Sequence, residues 1–264
     1  MRQFVLPPEW AGGSSCVLSG ESARYLLSVL RMGPGDRFPG LDGRGRRYEL
    51  EVRAVGSGRV ELAVLPDTSA AAVVPAERGN GEPLPRIVLV QALPKGRKMD
   101  LVVRQATEAG VSRILPVESS RSVARISDEG GAAAKRGRWE RIVREALQQS
   151  GSSTLTSVDA PIPLKMLGEA LAPCAGSRLG VYFHEAPLDE GTLHRYLSRR
   201  IDEIVACVGP EGGFSDEETA FLDHLGFKPA HLGSTVLRTE TAALFAVAAI
   251  KVILLERSSW TPTE

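Results

Sequence analysis

Through the first 65 residues, apolar and polar positions trade places with a period of two. Tyr48, Leu50 and Val52 alternate with glutamates, and Val60, Leu62 and Val64 repeat the same spacing. That period predicts half-buried strands, and Asp42-Gly43 ahead of the first run is a hairpin signal. One helix, from Glu21 to Leu30, interrupts the strands, so a small β-rich domain is expected over residues 1–70. Pro66 to Pro85 ("PDTSAAAVVPAERGNGEPLP") then gathers prolines and small residues. This is the composition of a linker, placed at 71–85.

From Ile87 the pattern changes. "IVLVQAL" is a continuous apolar run, as a strand buried on both faces requires. Met99, Val102, Val103 and Ala106 recur at helical spacing, and "RILPV" reads as the next strand. Trp139, Ile142, Val143, Ala146 and Leu147 mark another amphipathic helix. "RLGVYF", "EIVACV" and "PAHLG" supply later strands. Strand and helix alternating over residues 86–264 predict an α/β domain with a parallel sheet. Its last helix, within Leu232 to Ile250, is apolar on nearly all sides and must be buried by its own domain or by a second subunit. Thr239 or Thr241 is placed to cap it. Arg238, just before it, needs an anionic partner: Glu240, Glu211 or a ligand.

Charge and composition narrow the function. Lys plus Arg and Asp plus Glu are equal, 32 against 32, which excludes a bulk polyanion binder and leaves local basic patches. "MRQFVLPPEW" lacks an apolar run of signal-peptide length. Ala242 to Leu255 is too short and too interrupted, by Lys251, for a bilayer span. Cys16, Cys174 and Cys207 are odd in number and far apart, so reduced thiols in a cytoplasmic protein are expected. His184, His194, His224 and His231 lack ligand spacing, and no metal is expected.

The richest local chemistry is "GPEGGFSDEE", Gly209 to Glu218, directly after the strand-like "IVACV". Ser215 with Glu218 forms a capping box, so a helix starts at Asp216 and Gly226 ends it. Strand, glycine turn and capped helix stand in the order of a ligand crevice. Neither GxxxxGK[ST] nor GxGxxG is present. Acidic residues in the first helical turn offset the positive helix end. A neutral or cationic ligand, such as the sulfonium of S-adenosylmethionine, fits better than a phosphate.

"GPEGGFSDEE" followed by "LGSTVLRTETAAL" resembles the C-terminal signature of the RsmE family, 16S ribosomal RNA uridine-N3 methyltransferases of the SPOUT superfamily. "QALPKGRKMDLVVRQATEAGVSRILPVESSRS" (Gln91 to Ser122) and "LSVLRMGPGD" (Leu27 to Asp36) resemble it too. The resemblance implies an N-terminal PUA-like β-barrel and a C-terminal SPOUT α/β domain tied in a trefoil knot. It also implies a homodimer and S-adenosylmethionine as methyl donor. Three loops would hold the donor: Phe183, His184 and Glu185; Gly209, Pro210, Glu211, Gly212 and Gly213; and Leu232, Gly233, Val236, Leu237 and Arg238. This chain departs from the family where Ser234 and Thr235 replace proline and arginine, where Ser152 replaces arginine, and where "EAGV" (Glu108 to Val111) replaces "ELGV".

Uracil N3 carries a proton at neutral pH, so methylation requires a proton acceptor and stabilisation of the resulting anion. Arg238 is the candidate for stabilisation and Glu240 for proton acceptance, with half of a buried ion pair the other reading of each. Candidate RNA contacts are Arg31, Arg44, Arg46 and Arg47 in the first domain, with Lys95, Arg97, Lys98, Arg121 and Arg125 at strand ends of the second. Balanced charge points to a shaped 16S ribosomal RNA target within an assembled small subunit. The rival readings are a SPOUT ribose 2′-O-methyltransferase acting on transfer RNA and a non-catalytic RNA-binding assembly factor. "LRTETA" in place of a serine-asparagine motif favours base methylation.

Overall fold

The computed structural model describes residues 3–66, 84–126, 129–171, 173–174, 176–184 and 192–256. Most of the expected linker lies outside them. The chain divides into two units, Met1–Val74 with Arg144–Leu155, and Pro75–Val143 with Thr156–Glu264. The first unit thus takes in a segment that the sequence pattern places in the second domain. Gln3 explains why: its side-chain amide donates to Leu147 O at 2.9 Å and to Ser152 O at 2.8 Å. Arg47 adds a bond to Gly151 O.

In the first unit, β1 (Phe4–Val5), β2 (Ser15–Ser19) and α1 (Gly20–Arg24) precede a wide turn that closes through Leu30 N to Tyr25 O. Then come β3 (Arg37–Leu41), β4 (Arg47–Gly56) and β5 (Arg59–Pro66). They form one sheet in the order β1-β3-β4-β5-β2. Leu50, Val52, Val60, Leu62 and Val64 bury themselves as the period of two demands. At the β3–β4 turn, Asp42 Oδ1 accepts from the amides of Arg44 and Arg46, both at 2.8 Å. Tyr48 Oη donates to Asp42 Oδ2. The carboxylate shapes a tight turn that leaves Arg44, Arg46 and Arg47 exposed.

The second unit runs β6 (Arg86–Ala92), α2 (Lys98–Glu108), β7 (Arg113–Glu118) and α3 (Glu129–Ser150), whose last residues fall in the first unit. It continues with β8 (Ser157–Val158), β9 (Ile162–Pro163), α4 (Leu167–Ala170), β10 (Arg178–His184) and α5 (Leu193–Tyr196). It ends with β11 (Glu203–Val208), α6 (Asp216–His224), β12 (Lys228–His231) and α7 (Thr239–Glu256). The sheet is parallel throughout, in the order β12-β10-β11-β6-β7-β8, with β9 also on β7. Every residue of β11 is buried, even Glu203, whose carboxylate accepts from Arg178 Nε at 2.6 Å.

Two local expectations meet different outcomes. The capping box of α6 forms with both of its bonds, Glu218 N to Ser215 Oγ and Ser215 N to Glu218 Oε2. Thr239, by contrast, does not cap α7. Its hydroxyl is engaged elsewhere, and Arg238 O accepts the first helical bond, from Ala242 N at 2.8 Å. Among the described residues no helix is long and apolar enough to cross a membrane.

Candidate active site

Because β10, β11 and β12 are parallel neighbours, their C-terminal ends share one edge, the place where open α/β sheets hold ligands. The segments leaving them surround about 730 Å³ of space that is open to solvent. Phe183 and His184 line it from β10. The second wall is Val208, Gly209, Pro210, Glu211, Gly213 and Phe214. The third is Leu232, Gly233, Thr235, Val236 and Leu237, with Thr239 and Ala242 at the start of α7. No lysine or arginine is among these lining residues.

The glycine turn is braced from three sides. Gly213 turns the chain at φ +67°, and Gly213 N donates to Pro210 O at 2.9 Å. A Cβ on Gly209 would lie 3.3 Å from the backbone of Gly213 and Phe214, so a side chain there would force the turn to give by a few tenths of an ångström. From β6, Gln91 Nε2 donates to Thr239 Oγ1 (2.9 Å), which donates to Gly209 O (2.6 Å). From the segment after β7, the Arg121 guanidinium donates to Gly212 O (2.8 Å) and Phe214 O (3.2 Å). From the start of α2, Lys98 Nζ donates to Glu211 Oε1 at 2.8 Å, and Lys95 N to the same oxygen at 3.2 Å.

The carboxylates of "GPEGGFSDEE" are accounted for in the same way. Glu218 caps α6 and accepts from Ser120 N (2.6 Å) and Ser120 Oγ (3.0 Å). Burial alone would push the Glu211 carboxyl up. The hydrogen bond from Lys98, those from the amides of Glu211 and Lys95, and the charge of Lys98 together hold it below its ordinary value. Lys98 in turn is raised, first by its bond to Glu211, against a smaller opposing effect of burial, and further by Glu240. Glu240 Oε2 lies 3.4 Å from Lys98 Nζ. That oxygen is buried and has no hydrogen-bond partner among the described residues.

Several expected site residues sit elsewhere. Glu185 lies outside the described residues. Gly212 and Arg238 do not line the cavity: Gly212 faces Arg121, and Arg238 is exposed. Among the described residues Arg238 pairs with neither Glu211 nor Glu240; Lys98 holds both. Lys98 is therefore an internal brace in this structure, not a free phosphate contact, and Arg121 is spent on the glycine turn. Arg125 binds Glu118 and the carbonyls of Ser119 and Ser120, with over half of its side chain exposed. Arg31, Lys95 and Arg97 are exposed. Sequence reasoning missed Gln91 and Phe214 altogether and the role of Thr239. A polar glutamine within the apolar run "IVLVQAL" was the available signal.

Residues 80–251 match the RNA methyltransferase domain family and residues 18–65 the RNA methyltransferase PUA domain. The chain is thus an RNA methyltransferase with an N-terminal PUA-like domain. Over 96% of the chain and 78% of the relative, the sequence is 32% identical to ribosomal RNA small subunit methyltransferase E of Synechocystis. The enzyme of that name from Neisseria gonorrhoeae, solved bound to S-adenosyl methionine, is 30% identical with a TM-score of 0.75, covering 96% of this chain and 98% of that one. A Legionella pneumophila methyltransferase solved with bound SAM is 27% identical with a TM-score of 0.79, covering 95% and 97%. The chain belongs to the ribosomal RNA small subunit methyltransferase E family.

Proposed function

We propose that this protein transfers a methyl group from S-adenosylmethionine to N3 of a uridine in 16S ribosomal RNA. The observation that carries the reading is the cavity at the ends of β10, β11 and β12: mostly backbone and apolar walls, with one carboxylate and no lysine or arginine among its described lining residues. Such a lining repels a diphosphate and accepts an adenosyl group bearing a sulfonium. Two relatives that share the fold were solved with that donor bound.

The bound donor supplies an electrophilic methyl on sulfur. The N3 lone pair forms the new N–C bond, the S–C electron pair stays on sulfur, and the N3 proton must leave to a base. Arg238, exposed beside the cavity, offsets the negative charge on the uracil oxygens. Glu240 takes the proton only by parting from Lys98.

The remaining assignments extend the same reading. The strap 232–238 and the glycine turn belong to a SPOUT trefoil knot. The first unit is a PUA-like RNA-binding domain whose exposed Arg31, Arg44, Arg46 and Arg47 meet phosphates, as do Lys95, Arg97 and Arg125 in the second unit. The protein works in the cytoplasm as a homodimer on an assembled small subunit. The test is methyl transfer from labelled donor to small subunits lacking the modification, with the product located by nuclease digestion and mass spectrometry. A single N3-methyluridine is expected. Label on ribose or on transfer RNA would move the assignment to another class, and no transfer would leave a binding protein.

A further inference from the structure

We infer that Glu211 makes this cavity prefer the charged methyl donor over the neutral thioether that remains after transfer. The inference rests on the reading of the cavity as the S-adenosylmethionine site. The donor and S-adenosylhomocysteine differ by one methyl and one positive charge. Apolar walls and backbone amides bind the parts the two share and cannot tell them apart. A side chain that discriminates must carry charge, and Glu211 is the only acidic residue among the described residues of the lining.

Two features preserve that charge. The Lys95 amide and Lys98 Nζ hold the carboxylate of this lining residue at 3.2 Å and 2.8 Å, so it does not swing freely. Lys98 also faces Glu240 at 3.4 Å. One ammonium against two carboxylates gives this cluster of three a formal charge of minus one. The Glu240 side chain is only 12% exposed, so water screens this surplus poorly. The nearby cations Lys95, Arg97, Arg121 and Arg238 are all exposed and better solvated.

The consequence is specific to one phase of the cycle. As the methyl departs, sulfur loses its positive charge, and the attraction to Glu211 goes with it. The carboxylate therefore tightens the ground state more than the transition state, raising donor affinity without raising turnover. It also weakens product inhibition, because the thioether gains nothing from it.

Isothermal titration with both ligands tests this on the full-length protein. In E211Q, donor affinity is expected to fall about tenfold, roughly the effect of one partly screened charge. Affinity for S-adenosylhomocysteine should change less than about twofold on the same reasoning. E211D should restore most of the preference. Equal loss of both ligands, or no change in either, overturns the inference. Should E211Q fail to fold, the wild-type protein decides: the ratio of the two affinities must shrink as salt rises, and a salt-independent ratio refutes a charge effect. Wild-type protein that binds neither ligand would instead overturn the cofactor reading itself.

Discussion

Gln91 Nε2 lies 2.9 Å from Thr239 Oγ1, and the same hydroxyl donates to Gly209 O at 2.6 Å. Two buried side chains thus tie the end of β6, the start of α7 and the glycine turn into one relay. These are the elements whose mutual positions define the cavity. The relay is not free of cost, since Gln91 Oε1 is buried with no partner. An apolar residue at 91 would avoid that penalty but could not orient Thr239.

Thr239→Val keeps the shape and removes both bonds, leaving the Gln91 amide and Gly209 O without this partner. A loss of about 2 kcal/mol in stability is expected from unsatisfied buried groups. Donor affinity should fall with it, because the turn is no longer held. Urea denaturation and calorimetric titration measure the two effects. A variant as stable and as tight-binding as wild type would show that the relay positions nothing.

The α6 cap sets a smaller scale. Ser215→Ala removes one bond of the capping box and should cost about 1 kcal/mol, while Ser215→Gly should cost only a few tenths. Chemical denaturation of the pair checks the ordering as well as the size.

Arg238 and Arg121 are both arginines beside the cavity, and they should fail differently. Arg238 is exposed and unpaired among the described residues, so Arg238→Ala should abolish methyl transfer while donor affinity and melting temperature stay close to wild type. Arg121 holds the carbonyls of Gly212 and Phe214, so Arg121→Ala should weaken donor binding. Transfer assays beside donor titrations separate the two. Identical phenotypes would refute the division of roles.

The Lys98–Glu211 pair has a defined pH window. Glu211 is lowered from an ordinary 4.5, so its contribution is present above that value and is lost as pH falls through the lower folded value. Lys98 is raised from an ordinary 10.5, so its contribution is full below 10.5 and is lost only as pH rises beyond it. The difference in melting temperature between wild type and Glu211→Gln should therefore be flat between these limits and close on the acid side below pH 4.5. A gap that changes steadily across neutral pH would point to another group.

What was legible in the sequence was what is local. Ser215 and Glu218 are three residues apart, and their capping box formed as read. The strand-turn-helix order around Gly209 was equally plain, because a buried apolar run followed by glycines and acids has few other solutions. Lys98 reads as a phosphate contact in sequence, whereas the structure pairs it with Glu211, 113 residues away; nothing in "KGRK" distinguishes a lysine bound inward from one facing solvent. Arg121 is the same case, with Gly212 at a separation of 91. Thr239 had a local rule in its favour, the preference of threonine for helix caps. A partner 30 residues away, Gly209 O, took its hydroxyl instead. Tertiary competition overrides local preference where three chain segments converge, and here they converge on the cavity.

The last prediction concerns α7. Its buried residues, Ala243, Ala246, Val247, Ile250 and Leu254, face their own unit, where the helix packs on α2, β6 and β11. Its other side leaves Leu244, Phe245, Val252 and Leu255 exposed, and Leu101 of α2 is exposed as well. Phe245 alone is 49% exposed. An apolar stripe of this kind on a helix that is apolar all round is unfavourable in water unless it is covered. The proposed homodimer covers it with a second copy of the chain. Phe245→Glu places a charge in the middle of the stripe, where burial without a partner is costly. Sedimentation equilibrium at micromolar concentration should then find a dimer for wild type and a folded monomer for the variant. A monomeric wild type would remove the second copy as the partner of α7, and a variant that stays dimeric would move the interface to another face.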